Sequence, residues 1–337
     1  MESNELNVCY CCNNDYAPYV GISLTSLLKN NLDFEYIYIY IIYDEISDVF
    51  KDKLNDCVKN YSAEIIFIKF PSVLEEKLLS VGKDNIAMEK YGKLTLVSYY
   101  RLFLSSLIDE KVDRIIYLDA DTLVLDSLKN VWNIDLKDKS VAGVIDYFSF
   151  RPTKAFKLIK DLDENIDYIN AGFMILDLNK WRKNNLEKEF LNILGLFDWG
   201  KYLLDQGMIN YLFKGNFIVL NPKYNLYESL CVFKDYLSLL EFDTLYDKDI
   251  LLSAIKNPVV LHFPFDTDKP WVSKNSSLPN DIFKKYVDLS PFNNEEVYIS
   301  KNFSLLNNMI IWLRKVKIFF ILFNKIYWKF KIYKINL

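Results

Sequence analysis

Short apolar runs alternate with helical patterns along the first part of the chain, and this alternation restricts the fold more than any other feature. Tyr36–Tyr43 (YIYIYIIY) is a dense β-branched and aromatic run, and it predicts a buried strand. Similar runs predict strands at Leu6–Cys12 and Glu64–Phe70. Helical patterns lie between them, at Tyr19–Lys29 and from Ser47, a predicted N-cap, to residue 60. This order predicts a mainly parallel sheet with helices on both faces.

The same alternation continues beyond these elements. The further predicted helices and strands are an amphipathic helix at 94–108, a strand at Arg114–Leu118 (RIIYL), strands at Tyr168–Leu178 and Pro258–Phe263, and helices near 179–194 and 205–214. No internal repeat or low-complexity linker separates them. The sequence therefore predicts one α/β domain over residues 1–275, followed by a helical region over residues 276–337.

The positions of nine glycines exclude several classes of site. No two glycines have one or three residues between them, so the dinucleotide fingerprint GxGxxG and the nucleophile elbow GxSxG are both absent. No glycine precedes Lys-Ser or Lys-Thr, which excludes the phosphate-binding P-loop. The chain has a single histidine, His262, so a histidine-rich metal centre is excluded as well.

The net charge of −4 conceals a strong asymmetry along the chain. Residues 301–337 carry eight basic side chains and no acidic one, which leaves residues 1–300 with 33 basic and 45 acidic residues, a net charge of −12. Phosphate contacts need clustered cations, so a body this acidic is a poor general binder of nucleic acid. We therefore expect no nucleic-acid partner.

The cysteines and the chain start indicate a reducing compartment. The five cysteines are odd in number and contain no CxxC pair, and we expect Cys9 and Cys11 to face one side of a strand and Cys12 the other. Small buried thiols are the favoured interpretation. The start MESNELN is acidic and polar, and no window of 18 apolar residues occurs. The sequence thus predicts a cytoplasmic protein with no signal peptide and no spanning helix.

The sharpest local motif is Asp119-Ala120-Asp121, directly after the predicted strand RIIYL. Residues two apart in extended chain point the same way, so both carboxylates could address one point. Ligands of open α/β sheets bind beyond the carboxyl ends of strands, and two hard oxygens suit Mg²⁺ or Mn²⁺. A solvated turn is the alternative interpretation, since DxD is a common tripeptide.

Four ordered segments give the chain a resemblance to a known family. They are Tyr100-Arg101-Leu102-Phe103, DRIIYLDADTLVLDSL (113–128), YINAGFMILDLNKWR (168–182) and DQGMINYLF (205–213). Together they resemble the retaining glycosyltransferase family 8, which includes bacterial lipopolysaccharide galactosyl- and glucosyltransferases and, more distantly, glycogenin. The resemblance runs from the first strand through Trp271. It implies the GT-A fold, a nucleotide-sugar-binding α/β fold.

The resemblance implies a divalent-metal site. Asp119, Asp121 and His262 match the positions that hold Mn²⁺, or alternatively Mg²⁺, against the donor diphosphate. His262 precedes Lys269-Pro270-Trp271 in a segment similar to the family pattern HxxGxxKPW. The spacing from His262 to Lys269 is one residue longer than in that pattern, and Phe265 or Asp266 stands where glycine is usual. A lone structural histidine is the alternative reading of His262.

The resemblance also assigns residues to the donor and its sugar. The implied donor-binding residues are Cys11, Asn13, Asp15, Tyr16, Arg101, Ala120 and Lys269, with Tyr16 flanking the base and Arg101 either pairing with phosphate or orienting Asp119. The implied sugar- or acceptor-binding residues are Asp146, Asn170, Ala171 and Gly172, where a packing role is the alternative for Gly172. Asp205 and Gln206 are the implied catalytic pair beside the anomeric carbon.

These assignments imply a retaining hexosyltransferase. The donor is UDP-glucose or UDP-galactose, and the acceptor is a glycan or lipid-linked glycan of the cell surface. Because Gln206 is an amide and a weak nucleophile, we favour front-face displacement over a covalent glycosyl-enzyme. Two alternatives stay open: a glycogenin-like self-glucosylating primer and a non-catalytic sugar- or nucleotide-binding protein.

The C-terminal tail, residues 303–335, interleaves its basic residues with aromatic ones such as Trp312 and Trp328. This pattern is typical of a segment lying on an anionic membrane surface, with a contribution of about 1 kcal/mol for each lysine. We therefore expect peripheral association with the inner face of the plasma membrane. A helical hairpin packed on the body, for instance over 303–313, is the second interpretation, and a nucleic-acid arm is the third.

Overall fold

The computed structural model describes most of the chain up to residue 298. The described residues are 4–81, 93–147, 166–197, 199, 203–232, 234, 246–264, 269–272, 281–292 and 294–298. The basic aromatic tail and residues 265–268 lie outside them. Within these ranges, no helix has both the length and the apolar character needed to cross a bilayer.

Ten strands form two sheets in the described part of the chain. They are β1 (Glu5–Cys12), β2 (Tyr36–Tyr43), β3 (Ala63–Lys69), β4 (Arg114–Leu118), β5 (Thr122–Val124), β6 (Val141–Ile145), β7 (Ile169–Asp177), β8 (Ile218–Val219), β9 (Leu226–Tyr227) and β10 (Val260–His262). The large sheet has the order β3-β2-β1-β4-β7-β6-β8, and the small sheet has the order β5-β10-β9.

Helices connect these strands and cover the large sheet. Their bounds are α1 (Ala17–Lys29), α2 (Asp48–Val58), α3 (Ser72–Val81), α4 (Lys93–Tyr100), α5 (Leu104–Leu107), α6 (Lys129–Trp132), α7 (Leu178–Lys183), α8 (Leu186–Leu194), α9 (Asp205–Phe213), α10 (Glu228–Val232), α11 (Lys248–Lys256), α12 (Asp281–Leu289) and α13 (Asn294–Val297). Single 3-10 turns occur at Asn14–Tyr16, Arg101–Phe103 and Pro222–Tyr224. The Ser47 side chain caps α2 by accepting from the Phe50 N–H, as predicted.

The strand β1 is buried on both faces, which explains its continuous apolar sequence. It pairs with β2 over its whole length and with β4 at Val8 and Cys9, in each case in parallel. Cys12 packs into the core on one face of the sheet, whereas Cys9 and Cys11 pack into the core on the other. The prediction that these thiols face opposite sides and lie buried is confirmed, and the cysteines are free.

The mostly parallel sheet confirms the predicted fold class, with two antiparallel pairings added. The strand β7 lies between β4 and β6 and runs antiparallel to both. Its position places the carboxyl end of β4 beside the start of β7, where Asp119 N–H donates to the Gly172 carbonyl at 2.9 Å. The region following β4 and the beginning of β7 therefore meet at one edge of the core.

Two helices that were predicted as single elements are each divided in the structure. The helix predicted at 94–108 is α4, a 3-10 turn at Arg101–Phe103, and α5, because the chain tightens where Arg101 turns into the interior. The helix predicted near 179–194 is broken at Asn185, which has φ +55°. Asparagine tolerates this left-handed conformation better than most residues.

Residues 281–292 and 294–298 pack against the main body, where they contact α1. The Phe292 ring lies so close to Gly21 that a Cβ there would sit 2.1 Å from its Cε2 atom. The Tyr19 hydroxyl donates to the Val297 carbonyl at 3.1 Å, and the Asn30 amide donates to the Tyr286 hydroxyl at 2.8 Å. The domain boundary at residue 275 stays a prediction, and α12 and α13 share a core with α1.

Replacing Gly21 with alanine should destabilise the protein, although the same change at an open helix position stabilises by roughly 1 kcal/mol. The reason is the missing space for a Cβ beside Phe292. Chemical unfolding of Gly21→Ala, of Phe292→Ala and of the double variant measures the effect. In the Phe292→Ala background the Gly21→Ala change should become neutral or stabilising. Equal effects in both backgrounds would contradict the packing argument.

Candidate active site

The small sheet brings the only histidine to the acidic pair. In its register His262 lies opposite Thr122 on one side and Tyr227 on the other. His262 Nε2 is 3.2 Å from Asp121 Oδ1 and 3.9 Å from Asp119 Oδ2. One ligand atom from each of the three residues lies within 4.8 Å of the others. The three side chains that the resemblance assigned to a metal therefore form one cluster.

The acidic pair lies in a turn, and the extended conformation predicted for it is wrong. The chain leaves β4 at Leu118, turns at Ala120 and Asp121, and enters β5 at Thr122. The Thr122 hydroxyl donates to the Asp119 carbonyl at 2.7 Å, which closes the turn. The two carboxylates still converge, because the short connection between β4 and β5 folds both toward His262.

Arg101 is buried and forms ion pairs with two of the site's carboxylates. Its guanidinium pairs with Asp119 at 2.9 Å and with Asp205 at 3.1 Å, and it donates to the Ala171 carbonyl at 2.8 Å. The same group stacks 4.3 Å from the centre of the Tyr117 ring. Burial opposes the charge, but the two carboxylates raise the pKa of Arg101 well above its ordinary value. Of the two proposed roles for Arg101, orienting Asp119 has a direct contact in the structure.

Asp121 is bracketed by two positively charged or polar partners. Lys269 Nζ lies 2.9 Å from its Oδ2 atom, while His262 faces its Oδ1 atom. Burial alone would raise the pKa of Asp121, but Lys269 and His262 outweigh it and hold that pKa below its usual value. These two neighbours therefore favour the ionised form of Asp121, which is the form that can bind a cation.

A buried amide network forms the floor of the site next to the metal cluster. Asp146 Oδ2 accepts from the Asn170 amide at 3.1 Å, from the Gln206 amide at 2.9 Å and from the Tyr227 hydroxyl at 3.0 Å. Gln206 Oε1 in turn accepts from Asn170 at 2.9 Å and from the Ala171 N–H at 3.0 Å. The Gln206 side chain is thereby held in one orientation from both ends.

Gly172 is required by the space around the histidine. A Cβ at this position would lie 2.4 Å from His262 Cε1 and 2.9 Å from Asn170 Oδ1. The packing explanation left open for Gly172 thus has a direct observation behind it: the imidazole occupies the place of a side chain.

The loop after β1 lies against the segment that carries Lys269. The Asn13 side chain accepts from the Tyr16 N–H at 3.2 Å and caps the short 3-10 turn. Lys269 Nζ lies 5.5 Å from the centres of the Tyr16 and Trp271 rings. Trp271 stacks on Tyr19 at 4.0 Å. Asp15 is exposed beside Tyr16.

The remaining two implied donor residues are buried at the ends of their strands. Cys11 lies one residue before the end of β1, and Ala120 lies between the two aspartates. Both are nearly inaccessible in the protein alone. Their roles toward the donor, like those of the other assigned residues, stay predictions.

The donor set and the charge of the site fit a divalent cation. Two carboxylates and one imidazole are ligands that Mn²⁺ accepts, and carboxylates alone suit Mg²⁺. Two cationic side chains of the described structure, Arg101 and Lys269, pair with three of the site's carboxylates, which are Asp119, Asp121 and Asp205. A fourth carboxylate, Asp146, is held by neutral partners. An anionic ligand would be repelled here unless further positive charge came with it.

Three residues that touch the site were missed by the sequence analysis. Asn225 faces the far side of the His262 ring at 2.8 Å, Tyr227 donates to Asp146, and the Tyr117 hydroxyl donates to Asp119 at 2.9 Å. Tyr117 lies within RIIYL, two positions before Asp119. This spacing was the one available signal that its hydroxyl could reach the carboxylate. Tyr227 carried no signal because its strand β9 has only two residues, and Asn225 lies in the irregular chain between a 3-10 turn and that strand.

Comparisons with known proteins identify the family of this chain. A model of glycosyl transferase family 8 matches residues 7–275. The lipopolysaccharide 1,2-glucosyltransferase of Escherichia coli is 27% identical over 293 residues, covering 86% of this chain and 80% of that protein. General stress protein A of Bacillus subtilis is 26% identical over 291 residues, covering 85% of this chain and 95% of that protein.

The solved structures give the same fold. The galactosyltransferase LgtC, solved in complex with donor and acceptor sugar analogues, superposes with a TM-score of 0.67 at 21% identity, covering 86% of this chain and 98% of that one. The architecture is that of a GT-A glycosyltransferase. The chain belongs to glycosyl transferase family 8.

The carboxyl group of Asp205 should make stability depend on pH in an identifiable window. Burial raises its pKa to about 7, since the Arg101 pair offsets only part of the desolvation. The folded protein therefore keeps a proton that the unfolded chain releases near pH 4, and stability should fall as the pH rises from about 4 to 7. The loss relative to Asp205→Asn should be on the order of 1.4 kcal/mol per pH unit.

Urea unfolding of the metal-free wild type and of Asp205→Asn at several pH values measures this difference. Asp138→Asn serves as the control, because Asp138 is exposed and lies beside Lys139 on the surface. A difference between wild type and Asp205→Asn that stays constant from pH 4 to 8 would show that Asp205 has an ordinary pKa.

Proposed function

We propose that this chain is a retaining hexosyltransferase that moves glucose or galactose from a UDP-sugar to a glycan or lipid-linked glycan of the cell surface, with Mn²⁺ or Mg²⁺ as cofactor. The observation that carries the proposal is the cluster of Asp119, Asp121 and His262, with Arg101 and Lys269 in contact with its carboxylates. The activity of the E. coli relative, a lipopolysaccharide 1,2-glucosyltransferase, supports the acceptor class.

A nucleotide diphosphate is the leaving group that such a site suits. The chemistry that a bound divalent cation supplies here is neutralisation of the charge that develops on the departing diphosphate. Asp119, Asp121 and His262 would hold that ion. Lys269 is the nearest cationic side chain to Asp121 and would pair with a phosphate oxygen, while Arg101 keeps Asp119 in place.

The amide network would position the sugar rather than attack it. Gln206 is bound through both its oxygen and its nitrogen, so it would present a fixed dipole to the reacting carbon. Front-face displacement then needs no nucleophile from the protein: the bond from the anomeric carbon to the phosphate oxygen breaks, the acceptor oxygen bonds to that carbon, and the acceptor proton passes to the departing phosphate. The configuration is retained because both groups use one face.

Removing one carboxylate of the cluster should abolish most of the activity. Turnover of UDP-glucose and UDP-galactose, followed as release of UDP, should require Mn²⁺ or Mg²⁺ and should fall at least about a hundred- to thousandfold in Asp119→Asn and Asp121→Asn. Asp138→Asn, a loss of one exposed carboxylate, should leave the rate unchanged. Metal-independent binding of UDP-sugar with no turnover would favour a binding protein, and an increase in the intact mass of the chain would favour self-glycosylation.

We further propose that the basic aromatic tail holds the enzyme at an anionic membrane surface. Support comes from its composition, with eight cations and no acid over residues 301–337. Deleting residues 314–337 should reduce sedimentation with vesicles containing phosphatidylglycerol while UDP binding to the body persists. Wild type on neutral phosphatidylcholine vesicles is the matched control. Equal sedimentation of the full and truncated chains would contradict the anchor.

A further inference from the structure

The His262 ring lies between two groups that prefer opposite tautomers. Its Nε2 atom faces Asp121 at 3.2 Å, and its Nδ1 atom faces Asn225 Oδ1 at 2.8 Å. A metal can bind Nε2 only if that nitrogen carries no proton. A neighbouring carboxylate by itself would favour a proton on Nε2, since an N–H group can donate to it. Some other contact has to hold the proton on Nδ1.

Which atom donates in the contact at Nδ1 is determined by the backbone N–H of Gly172. The Gly172 N–H donates to Asn170 Oδ1 at 2.8 Å, and a backbone N–H can only donate, so the accepting atom is the oxygen. The Asn225 atom that lies 2.7 Å from the same oxygen must therefore be its amino group. The carbonyl oxygen of Asn225 then faces His262, and the ring must donate to it from Nδ1.

A second backbone amide supports the same orientation. The Ala171 N–H donates to Gln206 Oε1, which directs the Gln206 amino group to Asp146. The amino group of Asn170 also points to Asp146, so its oxygen is left for Gly172 and Asn225. Asn225 is 0% exposed, so water cannot replace a lost partner. Turning the Asn225 amide over would set its oxygen against Asn170 Oδ1, which the Gly172 N–H holds in place, at a cost of about 1–3 kcal/mol.

We infer that Asn225 is a positioning residue that keeps the neutral His262 ring protonated on Nδ1 and so leaves Nε2 bare for the metal. The inference rests on the proposed function for its purpose, but the tautomer itself is a property of the protein without metal or nucleotide. The relay runs from the Gly172 N–H through Asn170 and Asn225 to the imidazole. Outer contacts of this kind orient metal-bound histidines in proteins.

The single histidine makes the tautomer directly measurable. Nitrogen-15 NMR of the metal-free wild-type protein, labelled only in histidine, reports one ring, and the pH is raised until the doubly protonated signal is gone. Long-range proton–nitrogen couplings then identify the protonated nitrogen. We expect Nδ1–H as the main form. A main form protonated on Nε2 overturns the inference, and this result is independent of whether the protein binds Mn²⁺ or turns over a UDP-sugar.

Two substitutions at one position separate the hydrogen bond from its structural surroundings. Asn225→Leu removes the acceptor and should shift the ring to the Nε2–H form, with Mn²⁺ affinity by calorimetry about 10- to 100-fold weaker. Asn225→Asp keeps an acceptor facing Nδ1 and should keep the Nδ1–H form. Asn31→Leu is the control, because Asn31 is a buried asparagine bonded to Leu27 and Leu128 away from the site.

Each outcome of this comparison decides the inference. Retention of the Nδ1–H form in Asn225→Leu overturns it, as does an equal loss of Mn²⁺ affinity in Asn31→Leu. If Asn225→Leu does not fold, a shift to the Nε2–H form in Asn225→Asp overturns the inference, and retention of Nδ1–H there together with the wild-type spectrum supports it. If wild type shows Nδ1–H but binds no Mn²⁺, the proposed function fails while the tautomer assignment stands.

Discussion

Charge compensation among carboxylates that are partly removed from water is the interaction on which the rest of this site depends. Asp119, Asp121 and Asp205 cannot be buried together without cations. Arg101 forms ion pairs with Asp119 and Asp205, and Lys269 forms one with Asp121. The compensation is incomplete, as the raised pKa of Asp205 indicates. Added positive charge at the site would reduce this remaining imbalance.

The small sheet is the second constraint, since it joins stretches of chain that are far apart in sequence. Three short strands place Thr122, His262 and Tyr227 side by side. Each strand is too short to be stable by itself and is held by its neighbours and by the core beneath. The large sheet supplies the other wall through β7, whose Gly172 leaves room for the imidazole. The position of His262 thus follows from strand register, and the two aspartates lie in the short turn that joins β4 to β5.

The sequence predicted five of the seven strands of the large sheet, because those five have a strong local pattern, and it missed β6 and β8. Tyr36–Tyr43 and Arg114–Leu118 are apolar on both faces, and the structure has both strands at the predicted bounds. The break at Asn185 and the tight turn at Arg101–Phe103 were not foreseen, since neither contains proline or glycine. The metal cluster was predicted only through the family resemblance. Asn225 could not be, because its role depends on contacts with residues 37 and 55 positions away.

The stacking of Trp271 on Tyr19 has a consequence for how such enzymes diverge. His262 is fixed by the small sheet, and Trp271 is fixed on α1, so the connection between them is clamped at both ends. A change in the number of residues between His262 and Trp271 therefore need not displace either anchored residue, so this stretch can vary in length while the Asp119–Asp121–His262 cluster keeps its geometry.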